Sequence, residues 1–149
     1  MSKRETIYDT CYAALDASAS VSYVTREVNE DPFSWKENQY PAVRLIDGQE
    51  VKERFCYPGS TAQMDMKSEL TVVYEGYVRE YNRSSADLIA AQNNLAAAVE
   101  TALTGDSTLL GMVADVVPDD LITDKGNADG IGWVSGGFTI TYYYNHTAP

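Results

Sequence analysis

The sequence predicts an α+β fold, an α/β sandwich in which a mostly antiparallel sheet of four or five strands carries two helices. Two segments place apolar residues at the helical period, and several others show the alternation or the β-branched and aromatic composition of strands. The chain of 149 residues is the size of one domain and can bury a core without disulfides. We therefore expect a single domain over residues 1–149.

The clearest element is an alanine-rich helix predicted over residues 84–104. Ser84 and Asp87 have the spacing of a capping box, and Gly105 supplies a stop. The apolar stripe that should lie on the sheet is formed by Leu88, Leu95, Val99 and Leu103. The opposite side of this helix is poor in charge. It should be covered by another helix or another subunit, and we favour the first helix.

The other regular elements follow from composition and period. A first helix is predicted over residues 3–18, where Ser2 and Glu5 have capping-box spacing and an apolar stripe follows. The strands are predicted over residues 21–28, 41–48, 67–81, 112–117 and 133–145. The segment 106–111 is expected to be a short connector.

Three places are expected to interrupt the strands. Asp47-Gly48 should end the second strand in a turn. Residues 50–66 should form a mobile excursion, because a possible hairpin strand is broken there by Pro-Gly-Ser-Thr. Gly136-Gly137 should mark a bulge in the last strand.

The charge distribution argues against nucleic-acid binding. The net charge is −11, and from Ser84 onward the chain has one basic residue, Lys125, and eight acidic residues. Such a surface repels phosphate backbones. The acids either keep the protein soluble or form a surface past which DNA slides without sticking.

The sequence also indicates the cellular compartment and the chemical state of the two cysteines. The sequence has no run of 18 apolar residues that would suggest a membrane span, and the N-terminus lacks the apolar core of a secretory signal. Synthesis in the cytosol is therefore expected. Cys11 and Cys56 should be buried thiols rather than a disulfide framework or zinc ligands.

No catalytic, cofactor or metal motif is complete. Residues 124–130 resemble part of an EF-hand loop, but Lys125 and Gly136 stand where its first and last carboxylates belong. Residues 130–135 lack the third glycine of a dinucleotide fingerprint. His146 lies near the end of the sequence, where fraying is expected and a catalytic role is disfavoured. We therefore predict no enzyme, no cofactor and no metal.

The order of the segments along the chain is itself informative. It comprises the N-terminal helix, Pro41-Ala-Val-Arg-Leu followed by Asp-Gly, the strand 70–81, the alanine-rich helix, the run 106–116 and the aromatic strand 138–144. In this order the chain resembles the tail terminator, or tail completion, proteins of long-tailed bacteriophages. The resemblance covers nearly the full length and is firmest in residues 106–116 and the closing strand.

The resemblance implies a structural virion protein. Six copies would form a ring at the head-proximal end of the tail tube, stop polymerisation of the tube protein and offer a docking face to the head-completion or connector protein. DNA would pass through the lumen without specific binding, and no membrane is involved. The protein would be assembled in the host cytoplasm and reside in the neck of the virion.

The resemblance also indicates where the contacts should lie. Residues 29–40 and 50–66 look longer than the family needs. The predicted subunit or neck interface residues are Phe33, Trp35, Phe55, Tyr57, Met64 and Met66. The predicted lumen-lining acids are Asp119, Asp120, Asp124 and Asp129. The loop aromatics have an alternative role, since an aromatic residue in a loop often folds back onto its own core.

Three other functions remain open. The chain could be another neck protein, such as a head-completion adaptor or stopper, or a tail tube protein that polymerises. It could also be a small cytosolic binding module or an enzyme, which would need a concave site with convergent polar groups. Closed rings, long tubes and monomers would distinguish the assembly functions.

Overall fold

The computed structural model describes residues 2–55, 64–80, 84–124 and 130–147, and in them three helices cover one face of a six-stranded sheet. The α+β class is as predicted. The sheet has six strands rather than four or five, and it is mixed because one pair of strands is parallel.

The two predicted helices are present, and a third, shorter one follows them. The helices are α1 (Lys3–Asp16), α2 (Ser85–Thr104) and α3 (Ser107–Met112). Helix α3 occupies the segment that was expected to be a connector. The carboxylate of Asp106 caps it by accepting a hydrogen bond from the amide of Leu109 at 2.8 Å.

The predicted caps of the two longer helices are confirmed. The hydroxyl of Ser2 accepts a hydrogen bond from the amide of Glu5. Ser84 and Asp87 form the complete capping box of α2, and Gly105 ends that helix. The cap fixes the first turn and so determines which face of α2 lies on the sheet.

The strands are β1 (Tyr23–Thr25), β2 (Ala42–Arg54), β3 (Met66–Arg79), β4 (Asp115–Pro118), β5 (Ile122–Thr123) and β6 (Ile131–Tyr144). Their order in the sheet is β1-β2-β3-β6-β4, and β5 also pairs with β6. Strand β1 is parallel to β2, and the other pairs are antiparallel. Two 3₁₀ turns, Pro32–Ser34 and Glu37–Gln39, lie in the connection between β1 and β2.

Strand β2 does not end in a turn at Asp47-Gly48, contrary to the prediction. Between Asp47 and Glu50 its register with β3 shifts by one residue, which is a β-bulge. Gly48 is required there because a Cβ atom would lie 2.0 Å from the carbonyl oxygen of Thr71. The strand then continues to Arg54, so residues 50–54 of the expected excursion are regular sheet.

The predicted bulge at Gly136-Gly137 is wrong. The register between β3 and β6 is unbroken from Met66 opposite Tyr144 to Arg79 opposite Ile131. At Gly136 the missing side chain makes room for packing, because a Cβ atom there would lie 2.9 Å from the ring of Tyr74. The glycines therefore reflect close packing of neighbours rather than an extra residue.

The main core lies between the helices and the sheet. All four residues of the α2 stripe, Leu88, Leu95, Val99 and Leu103, are buried in it. The largest fully buried side chains of the strands in this core are Leu45, Leu70, Val72, Phe138 and Ile140. Each alternates with a residue directed to the other side of the sheet, which we call the open face.

Helix α1 lies beside α2 in the same layer, whereas we expected it to cover the back of α2. It packs its own stripe of Ile7, Cys11 and Leu15 into the main core. It does not cover the back of α2, where Ala90 and Ala97 remain exposed. Among the described helices, none combines the length and apolar character needed to cross a membrane.

Candidate functional site

The open face of the sheet is the largest surface in the described chain that its own helices leave uncovered. On this face Val51 of β2 lies opposite Glu69 of β3. Thr139 of β6 lies between Thr71 of β3 and Val117 of β4. Val117 and Ile122 are exposed by 46% and 63%. The face is therefore flat and rich in threonine and β-branched residues, a composition suited to contact with another protein surface.

One end of the open face is covered by the connection between β1 and β2. This cover is a second, smaller core cluster, which we call the aromatic cluster. It consists of Trp35, Tyr40, Ala42, Tyr77 and Ile131, with Tyr23 and Trp133 packed against it. Its position explains why large aromatic residues occur in a segment without helical or strand period.

Trp35 lies at the centre of the aromatic cluster and is 6% exposed. Its ring meets those of Tyr23 and Tyr77 edge to face at centroid distances of 5.5 Å. The indole nitrogen donates a hydrogen bond to Glu30 at 2.9 Å. Trp35 is thus part of the chain's own core, the alternative noted for loop aromatics, and its side chain offers little surface to a partner.

A buried arginine holds the connection onto the sheet. The guanidinium of Arg44 donates hydrogen bonds to the carbonyl oxygens of Val28 and Glu30 at 3.3 and 2.8 Å and to the carboxylate of Glu75 at 2.7 Å. Burial alone would raise the pKa of Glu75, but hydrogen bonds from Tyr77 and Arg44 outweigh it and lower that pKa. This network positions the aromatic cluster over β2 and β3.

The other predicted interface residues have different surroundings. Phe33 is 62% exposed, and Phe55 is half exposed with its ring edge to face on Tyr143 at 5.1 Å. Met64 is exposed, whereas Met66 packs against the main core. Tyr57 lies outside the described residues. The interface role of these side chains stays a prediction.

The predicted lumen acids are not equivalent. Asp119 and Asp120 are exposed, and the Asp119 carboxylate accepts a hydrogen bond from the Thr139 hydroxyl at 2.9 Å. Asp124 is half buried and accepts hydrogen bonds from the side chain of Gln92 and the amide of Trp133. Asp124 therefore fixes the end of β5 against β6. Asp129 lies outside the described residues, and a lumen role for these acids stays a prediction.

The charge asymmetry seen in the sequence has a spatial counterpart. Residues 84–124 and 130–147, which form α2, α3, β4, β5 and β6, contain no lysine or arginine. Six cations of the first half of the chain, Arg4, Arg26, Arg44, Lys52, Arg54 and Lys67, pair with carboxylates within residues 5–75. The strands β4, β5 and β6 themselves contain no lysine or arginine that could pair with the acids beside them.

A buried carboxylate at Glu50 could not be recognised from the sequence pattern. Its side chain is 7% exposed and accepts hydrogen bonds from Arg4 at 3.1 Å, from Ser68 and from Tyr142. Burial alone would raise the pKa of Glu50, but these three hydrogen bonds, with the nearby charge of Lys52, outweigh burial and lower the pKa from its ordinary value. With its acceptor positions occupied, Glu50 joins α1, β2, β3 and β6 rather than offering a reactive group.

Acid is expected to destabilise the fold through carboxylates such as Glu50 and Glu75. Because their folded-state pKa values are lowered, their stabilisation is complete above the unfolded value and is lost as the pH falls through the folded value. Urea unfolding from about pH 6 to about pH 3 should show a falling free energy of unfolding. Glu50→Gln should flatten this dependence, and an unchanged slope would contradict the assignment.

Cys11 is a buried thiol, as predicted. Burial, with a smaller contribution from the charge of Asp106, raises the pKa of Cys11 to about 12. Cys56 lies outside the described residues. His146 is held by Asp65, whose carboxylate accepts a hydrogen bond from the His146 amide at 2.9 Å. This contact joins the end of β6 to the start of β3.

The described residues contain no group of three or more histidine, cysteine, aspartate or glutamate side chains that could hold a metal ion. No protein-family model and no curated protein sequence matches the chain. Functional inference therefore rests on the surfaces described above.

Proposed function

We propose that the chain is a structural subunit of a bacteriophage neck, a tail terminator that forms a ring on the head-proximal end of the tail tube. The observation that carries this proposal is the open sheet face. A small domain that covers one sheet face with helices and leaves apolar residues such as Val51 and Val117 exposed on the other is suited to assembly.

The charge of the chain supports the same function. DNA that moves through a ring must meet a wall without cationic groups that would bind its phosphates. The part of the chain from α2 to β6 meets this requirement in residues 84–124 and 130–147. A ring with this part directed inward would let the duplex slide.

The shape of the interface determines what the subunits build. A head-to-tail contact closes into a ring if its rotation returns to the start and otherwise grows into a filament. The subunits of a terminator must close into a ring. Only one of the two sides of that ring may match the last ring of the tail tube. This requirement separates it from a tube protein made of similar subunits.

The test is electron microscopy and native mass spectrometry of the purified chain, alone and mixed with tubes assembled from the tail-tube protein of the same phage. We expect closed rings of one mass, six copies by the resemblance, seated at one end of each tube. Long tubes formed by the chain alone would indicate a tube protein. A chain that stays monomeric and leaves tube ends bare would contradict the proposal.

A further inference from the structure

A groove crosses the open face beside β5. Its volume is about 590 Å³, and its lining includes Thr71, Val73, Asp119, Asp120, Ile122 and Ser135. The groove exists because Ser135 and Gly137 place little bulk between Val73 and Ile122. A Cβ atom on Gly137 would lie 3.2 Å from the carbonyl oxygen of Val72 and 3.5 Å from the Asp119 carboxylate.

We infer that this groove binds a basic, apolar segment of a partner protein, with the stem of a lysine or arginine along Val73 and Ile122 and its cation at Asp119 and Asp120. The lining combines an apolar floor with carboxylates at the rim. Long cationic side chains bury their methylene groups and keep the charged end in a polar setting. Ile122, at 63% exposure, has apolar area to lose in such a contact.

Charge complementarity selects this occupant. Strands β4, β5 and β6 beside the groove contain no lysine or arginine, and Lys67 on the open face of β3 is committed to ion pairs on β2 and β3. Arg44 of β2 lies opposite Glu75 of β3. Its guanidinium already donates hydrogen bonds to Glu75 and to the carbonyl oxygens of Val28 and Glu30. No cation of the described residues forms an ion pair with Asp119 or Asp120, so these rim carboxylates can accept one from a partner.

The same charges disfavour two other occupants. DNA would bring phosphates against Asp119 and Asp120. A second copy would bring a net charge of −11, and most of its described cations are committed to their own ion pairs. A carboxylate that holds a partner's cation does not also line an open lumen, so the peptide test bears on the lumen role predicted for Asp119 and Asp120 as well.

The assignment does not depend on the ring, and it can be tested with synthetic peptides. The probes are two peptides of equal length and charge, one alternating lysine with valine and one alternating lysine with serine. Fluorescence anisotropy should show binding of the lysine–valine peptide to the full chain. The lysine–serine peptide should bind at least about tenfold more weakly, because it buries no apolar side chain on Val73 and Ile122.

Substitutions in the chain should show where the lysine–valine peptide binds. Asp119→Asn with Asp120→Asn should abolish binding of the lysine–valine peptide, and Ile122→Ser should remove the difference in affinity between the two peptides. The matched control is Asp16→Asn with Glu27→Gln, which makes the same charge change at exposed positions away from the groove. Circular dichroism should show that all variants remain folded.

NMR chemical shifts provide a readout that does not rely on variants. The lysine–valine peptide should shift the amide signals of Thr71, Val73, Ile122 and Ser135. Shifts spread evenly over the acidic surface, or equal weakening by the control pair, would overturn the assignment in favour of nonspecific attraction. A fall in oligomer mass on Ile122→Ser without any change in peptide binding would make a second copy the occupant.

Discussion

Trp35→Ala is expected to lower the free energy of unfolding by about 3 kcal/mol. The substitution removes the side chain at the centre of the aromatic cluster and leaves a cavity between Tyr23 and Tyr77. It also leaves the Glu30 carboxylate without the indole donor. Urea unfolding followed by far-ultraviolet circular dichroism measures the change.

Phe33→Ala is the matched control for Trp35→Ala. Phe33 lies two residues away in the same connection and is 62% exposed, so its removal should change the free energy of unfolding by less than about 0.5 kcal/mol. Trp35→Phe keeps most of the ring but loses the hydrogen bond to Glu30, at a cost of about 1 kcal/mol. Equal effects of Trp35→Ala and Phe33→Ala would show that the aromatic cluster does not stabilise the fold.

Glu50→Ala is expected to have a similar effect, a loss of about 3 kcal/mol. The substitution removes the shared acceptor of Arg4, Ser68 and Tyr142. The hydroxyl of Ser68, which is fully buried, then has no carboxylate to donate to. The free energy of unfolding from urea titration at neutral pH is the measurement.

The control for Glu50→Ala is Glu53→Ala, three residues along the same strand. The Glu53 side chain is 63% exposed and pairs with Lys67 at 3.5 Å, so its loss should cost less than about 1 kcal/mol. Glu50→Gln should lie between the two, because it keeps the shape and one acceptor but loses the charge. If Glu53→Ala proves as damaging as Glu50→Ala, the buried network is not the cause.

The helices could be predicted because their signals are local. The capping box of α2 spans four residues, and its apolar stripe repeats over several turns. Helix α3 has six residues, too few for a period to be recognised, and only the cap at Asp106 marked its start. Length therefore decided which helices the sequence could reveal.

The errors in the sheet have a tertiary cause. Asp-Gly is typically a turn, but here the hydroxyl of Tyr8 accepts a hydrogen bond from the Gly48 amide and Arg4 donates one to the Gly48 carbonyl oxygen. These partners lie 40 and 44 positions away in the sequence. A pattern confined to neighbours cannot include them, so the continuation of β2 was missed.

The site was partly predictable for the same reason. The exposure of Phe33 and of Asp119 and Asp120 agrees with their polar, irregular surroundings in the sequence. The burial of Trp35 depends on Arg44 and Glu75, which hold the connection in place from two different strands. The groove depends on the cross-strand position of Gly137 opposite Val73, which only the register of β3 and β6 defines.

The extra residue at the β2 bulge inverts the side-chain alternation for the rest of that strand. Before it, Val43 and Leu45 point toward the helices; after it, Glu50, opposite Leu70, does so, and Val51 is directed to the open face. If β2 instead ran through Gly48 and Gln49 with regular pairing and no bulge, Val51 would be directed toward the helices and Glu50 toward the open face. One inserted residue thus determines both the buried anion beneath α1 and the apolar contact surface on the opposite side of the sheet.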